Sequence, residues 1–263
     1  MEVDLVKCVE IGHVPPTPIV PTHGRDTVPV AYDSLLKHSS SYGTVFGYKQ
    51  EQQGVRVQHV LPNPKTEYIQ MSTSSKVELE LHTETAFHPY KPDYLLLLCL
   101  RGDPSAPTTY AKVSRIVEML DDDTLEILQQ PLYATSLDDS FRTDGSPDAT
   151  IIVSVLRKHD DFWEMTYDNY LMKGLTAEAQ RALEALRTAA SRSIEEVVLE
   201  SGDLLVLNNK TVIHGRKPFQ PRYDGTDRWL LRAMTKKTYP PLAHYDASSF
   251  VITTTFNNGM AHA

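Results

Sequence analysis

The segment Val77–Glu84 (VELELHTE) alternates apolar and polar side chains with period two. A strand sends successive side chains to opposite faces, so this pattern reads as a half-buried strand with Leu79 and Leu81 toward a core. The other face carries Glu78, Glu80, His82 and Glu84, four groups able to do chemistry. Further strands are expected at Tyr94–Leu100 (YLLLLCL), Ala149–Leu156 (ATIIVSVL), Asp203–Leu207 (DLLVL), Trp229–Met234 and Ser249–Thr254 (SFVITT). Helical signals are fewer. The best is Thr176–Arg192, with Thr176 as cap, Glu178 in the first turn, and Ala179, Leu183, Leu186 and Ala190 at helical spacing. Tyr110–Leu120 and Asp122–Leu132 are shorter candidates. The expected fold class is mainly β with peripheral helices around a double-sheet jelly roll, the double-stranded β-helix.

The 263 residues fit one domain, 1–263, with residues 1–30 as an N-terminal arm. Pro15, Pro16, Pro18 and Pro21 keep Val14–Asp26 extended, because each removes a donor and restricts the residue before it. The two cysteines, Cys8 and Cys99, exclude a disulfide framework and are expected to be reduced and mostly buried, which suits the cytoplasm. Tyr94–Leu100, the longest apolar run, is far short of the roughly 18 residues of a membrane span. The acidic N-terminus does not read as a secretory leader. With 34 Asp+Glu against 26 Lys+Arg, a net charge of -8 and no basic run, nucleic acid is disfavoured and a small-molecule partner is expected. The oligomeric state has no signature in the sequence.

On a strand, His82 and Glu84 point the same way, so an imidazole and a carboxylate can converge on one point. They are two of the three ligands of the facial arrangement of two histidines and one carboxylate that holds non-haem Fe(II). His214, a short loop beyond DLLVL, is the natural third. Among ten histidines such a spacing also arises by chance. Its company is more telling. Arg228 and Arg232, four apart in an apolar strand, share a face, and a buried guanidinium there calls for an anion. Two of them suggest two carboxylates, with Thr108 or Thr109 adding a hydroxyl donor.

The runs LELHTETAFHPYKPDYLLLLCLRGDP (Leu79–Pro104), Thr108–Thr109 and VIHGR…DRWLLR (Val212–Arg232) resemble the clavaminate synthase-like branch of the Fe(II)/2-oxoglutarate-dependent oxygenases, within the TauD-like superfamily. The likeness runs from about Gly43 to Arg232. It implies an amino-acid hydroxylase of natural-product biosynthesis, with Fe(II) as cofactor and 2-oxoglutarate and dioxygen as cosubstrates. It implies His82, Glu84 and His214 as metal ligands and catalytic centre, Arg228 and Thr109 on the distal carboxylate of 2-oxoglutarate, and Arg232 on the substrate carboxylate. Gln52 in GYKQEQQG (Gly47–Gly54), with Gln50 and Gln53 as competitors, and the ligand Glu84 would face the substrate amine. Relatives acting on arginine place acids around TYDNYLM (Thr166–Met172). Asp168 fits that role, but Tyr170 stands where a second acid is expected. The substrate implied is therefore a free amino acid with a basic or polar side chain, such as lysine or arginine. Glu84 also argues against halogenation, which needs that position vacated for chloride. The N-terminus is shorter than in many such enzymes, so a lid or dimer contact built there is expected to be missing.

Two other readings compete. The same chemistry could act on a carrier- or peptide-bound residue or another small acid, although a blocked α-carboxylate leaves Arg232 without its anion. A noncatalytic metal-binding jelly roll could use the same three ligands but gives no reason for Arg228 and Thr109. His88 is expected to be structural, Asp121–Asp123 a helix cap rather than a calcium loop, and Trp163 and Trp229 core or rim aromatics. His244 and His262 have no evident partners.

Overall fold

The computed structural model describes residues 1–20, 24–142 and 150–254. Pro21, Ala149, His262 and most of the Arg142–Asp148 loop lie outside them. In chain order the elements are β1 (Val3–Val6), α1 (Pro29–Ser39), β2 (Thr44–Tyr48), β3 (Val57–Val60), β4 (Leu79–His82), β5 (Tyr94–Arg101), β6 (Thr108–Lys112), α2 (Val113–Val117), α3 (Asp122–Leu128), β7 (Tyr133–Ser136), β8 (Thr150–Val153), β9 (Leu156–Lys158), β10 (Trp163–Met165), β11 (Lys173–Gly174), α4 (Ala177–Arg192), β12 (Glu195–Val197), β13 (Leu204–Asn208), β14 (Val212–Arg216), β15 (Trp229–Lys236), β16 (Tyr245–Asp246) and β17 (Val251–Ile252). The chain is mainly β with few helices.

Two sheets frame the interior. The larger runs β1-β13-β5-β15-β2-β17-β16, with β3 also on β15; the smaller runs β12-β6-β14-β4. Their pairings are antiparallel except β17 with β2. One core cluster joins the inner faces, combining Leu95, Leu97, Leu205 and Leu230 of the large sheet with Val212 of the small one. A second packs Leu96, Leu98, Leu231 and Trp229 with Ala31 and Leu35 of α1. A third packs Ala111 and Ile213 of the small sheet with Leu183 and Leu186 of α4. These layers explain why β5 reads as an unbroken apolar run: both of its faces are covered.

The strongest helical signal holds closely. Thr176 caps α4 by accepting from the Ala179 amide at 3.1 Å, and Asp121 likewise caps α3 through Thr124 at 2.7 Å. Three expectations are corrected. Tyr110–Leu120 begins as strand β6, because Thr108–Lys112 is gripped between β12 and β14, and only Val113–Val117 is helical. The N-terminal arm is partly sheet, with Val3–Val6 paired to Leu204–Leu207. Cys8 is exposed; Cys99 is buried, and both are free thiols.

Candidate active site

Strand β4 ends at His82, so Glu84 lies past the strand rather than on it. Asn209 places it instead: its Oδ1 accepts from the Glu84 amide at 2.8 Å, and its Nδ2 donates to the Glu84 carbonyl at 3.2 Å. His82 and His214 face each other directly in the β4–β14 register, with ring centroids 4.4 Å apart. Glu84 Oε2 stands 3.3 Å from His214 Nε2 and 3.9 Å from His82 Nε2. One donor atom from each residue falls within 4.8 Å of the other two. Donors at adjacent corners around an ion with bonds of about 2.1 Å stand about 3 Å apart, so the set fits a small divalent cation held from one side. The His82 Nδ1 lies 2.8 Å from the Glu80 carbonyl, which turns Nε2 toward the common point.

Burial alone would raise the Glu84 carboxyl, but the Arg232 guanidinium, with His214 and His82, holds it well below the usual carboxylate range. Burial, with His82 beside it, pushes His214 down to about 4 against the pull of Glu84. Both shifts favour a carboxylate and a neutral imidazole, the forms that bind metal.

These groups open onto a cavity of about 320 Å³ between the sheets, lined also by Arg216, Arg228, Arg232, Gln52, Asp138 and Asp168. The arginines differ. Arg232 is neutralised: Nη1 donates to Glu84 at 2.9 Å, Nη2 to Glu51 at 2.5 Å, and Nε to Gln58 at 2.9 Å. Arg228, 7% exposed, forms no ion pair among the described residues and donates to the Thr108 hydroxyl at 3.2 Å. Thr108 and not Thr109 is thus its partner. Adjacent strand residues face opposite ways, and Thr109 shares its face with Ala111, which packs toward α4.

Gln52 lines the cavity, and among the described residues neither its buried Oε1 nor the buried Glu51 Oε2 has a hydrogen-bond partner. Asp168 lines it too, although its Oδ1 already accepts from the amides of Tyr170 (2.9 Å) and Leu171 (2.7 Å). Asp138 was not singled out from the sequence. Burial pushes its carboxyl well above the usual range, and the charges of Asp168, Glu84 and Glu51 push the same way. Glu51 sits inside the same GYKQEQQG run as Gln52 and was visible there. Gln58 was not, because its link to Arg232 depends on β3 pairing with β15, far away in sequence. His88 is structural: it is buried against the Tyr48 ring and accepts from the Tyr90 amide at 2.9 Å.

Residues 30–234 match the family described as taurine catabolism dioxygenase TauD, TfdA family. The chain is 33% identical over 233 residues to an L-lysine 3-hydroxylase of Catenulispora acidiphila, covering 85% of this chain and 64% of that protein. It is 34% identical over 221 residues to an L-asparagine oxygenase of Streptomyces coelicolor, covering 83% and 66%. The chain thus spans just under two thirds of these curated relatives. Among solved structures, it superposes with a TM-score of 0.89 and 30% identity on an asparagine oxygenase in complex with Fe(II), (2S,3S)-3-hydroxyasparagine and succinate, covering 97% of this chain and 80% of that one.

Proposed function

We propose, for a chain that belongs to the taurine catabolism dioxygenase TauD, TfdA family, that it is an Fe(II)/2-oxoglutarate-dependent hydroxylase of a free amino acid with a basic or polar side chain. The observation that carries this reading is the convergence of His82, Glu84 and His214 on a cavity that is also lined by Arg228, which forms no ion pair among the described residues. Their two imidazoles and one carboxylate would hold ferrous iron. Iron so held supplies the oxidative decarboxylation of 2-oxoglutarate by dioxygen, coupled to hydroxylation of an unactivated C–H bond.

The chain's own residues do the positioning. Arg228, with Thr108 in place of the expected Thr109, takes the distal carboxylate of 2-oxoglutarate. Arg232 and Glu51 form a plus–minus pair that complements a zwitterion: the substrate carboxylate meets Arg232, and its ammonium meets Glu51, Gln52 and Glu84. Asp138 and Asp168 give the cavity an acidic wall suited to a basic side-chain tip. The two-sheet arrangement supports a double-stranded β-helix, and residues 1–263 form a single oxygenase domain. No helix among the described residues is long and apolar enough to cross a membrane, and two free thiols suit a cytoplasmic protein. A product hydroxylated on its side chain fits natural-product biosynthesis.

One observation favours a second reading. Arg232 is already neutralised, so an amidated or esterified carboxyl would leave its ion pairs undisturbed, as a carrier- or peptide-bound residue requires. Both readings are tested together. The iron-loaded protein is given 2-oxoglutarate and dioxygen with each of the twenty amino acids, their common derivatives and their amides, and succinate is measured. Release stimulated by a free basic amino acid supports the first reading; release only with the amides supports the second. An iron-loaded protein that makes no succinate with any of them overturns both.

A further inference from the structure

Arg216 lies two residues beyond His214 on β14, on the same cavity-facing side. It is 3% exposed. Its Nη1 donates to the carbonyls of Lys217 at 2.7 Å and Ser75 at 3.3 Å, and its Nη2 to Ser74 Oγ at 2.8 Å and the Val77 carbonyl at 3.3 Å. The Phe219 ring lies 4.9 Å beneath. Every one of these partners is uncharged, and Nε is buried with no hydrogen-bond partner among the described residues. Thr108 stands opposite Arg216 in the β6–β14 register, and the Thr108 hydroxyl is the one that receives Arg228. Two buried guanidiniums therefore sit near one another, Arg228 on the Thr108 hydroxyl and Arg216 across from Thr108 in the register, and among the described residues neither forms an ion pair with a carboxylate. Burying a cation without an anion is costly. Doing so twice at one end of a cavity, while Arg232 is neutralised, marks that end for an anion from outside.

We infer that Arg216 is a second guanidinium of the cosubstrate's anion site, and that its charge joins that of Arg228 in selecting a 2-oxo acid with a distal carboxylate. Its Nη hydrogen bonds fix that charge in place against Ser74–Val77, the segment leading into β4. The inference rests on the 2-oxoglutarate reading above and adds a positioning residue to it, not a catalytic one.

The test is calorimetric binding to the full chain loaded with Mn(II), a stand-in that does not turn over. The probes are 2-oxoglutarate and 2-oxopentanoate, which carries a methyl group where 2-oxoglutarate has its distal carboxylate. Arg216→Gln is expected to weaken 2-oxoglutarate about tenfold and leave 2-oxopentanoate unchanged, as loss of one charge-assisted interaction should. Arg216→Lys, which keeps the charge but not the fork, is expected to retain the preference, and it carries the test if the Gln variant does not fold. Equal weakening of both acids, no weakening of either, or a folded Lys variant without the preference overturns the inference. Wild-type protein that does not distinguish the two acids overturns the cosubstrate reading itself, a separate outcome.

Discussion

Glu84 answers to two cations, the metal its carboxylate would ligate and the Arg232 guanidinium at 2.9 Å, and it is held from behind by Asn209. That side chain satisfies the amide and the carbonyl of Glu84 and also donates to the Pro92 carbonyl at 3.0 Å. Outer partners of a ligand typically carry about 10–100-fold in metal affinity. Asn209→Ala is expected to weaken Fe(II) or Mn(II) binding by that factor, and to cost about 1–3 kcal/mol of stability for the buried groups left unpaired; metal titration and chemical denaturation read the two separately. His82→Ala should lose metal binding outright at stoichiometric concentrations. Arg232→Leu should act differently. It strands Glu51, 4% exposed, and Glu84 as unpaired buried carboxylates, at a cost of about 3–5 kcal/mol. Denaturation midpoints should fall accordingly, while a variant of wild-type stability would show that the ion pairs are not held in solution.

At the level of strands, the site depends on how closely β14 lies between β4 and β6. Gly215 separates His214 from Arg216, and a Cβ there would meet the Leu79 carbonyl oxygen at 2.3 Å and Thr109 Oγ1 at 3.1 Å. The first contact is backbone, with no flexible side-chain end to swing aside, so Gly215→Ala should push β4 away and pull His82 out of register with His214. Metal affinity should drop at least about tenfold even where circular dichroism stays unchanged, and an unaltered affinity would contradict the pairing. The sequence made much of this legible: period-two alternation marked β4, the unbroken apolar run marked β5, and a capped 3.6-residue pattern marked α4. It misread Tyr110–Lys112, the second half of β6, as helix because TTYAK carries no alternation of its own and owes its extended form to two neighbours distant in sequence. Spacing alone left Thr108 and Thr109 open and the resemblance implied Thr109, whereas Arg228 donates to Thr108. Which of Thr108 and Thr109 faces inward is decided by register with β14, and register is not written in the adjacent pair. Glu84 likewise reached the expected place by another route, through Asn209 instead of strand geometry.

Across the whole molecule, charges of both signs line one cavity. Arg216 and Arg228 line it where β6 meets β14 and β15, and Asp138 and Asp168 line it as well, Asp168 beside the ligand His82. The acidic lining has a cost for the fold. The Asp138 carboxyl is pushed well above its usual range, first by burial and then by Asp168, Glu84 and Glu51. A carboxyl whose pKa is higher folded than unfolded binds its proton more tightly in the folded state. Stability is therefore lost as pH rises from the unfolded value, about 3.9, toward the folded one. Asp138→Asn removes that loss, so its melting temperature should exceed wild type at pH 7, with the gap closing near pH 4. The same substitution takes a charge from the wall proposed to meet a basic side chain. A charge-assisted hydrogen bond is worth about 1.5–3 kcal/mol, so KM for a basic amino acid should rise at least about tenfold while kcat changes less. A variant more stable at pH 7 but weaker toward its substrate would mark Asp138 as a group kept for function against the interest of the fold. Equal melting temperatures at pH 7 would mean that its carboxyl finds water or a cation the cavity supplies, and the acidic wall would lose its claim on the substrate's charge.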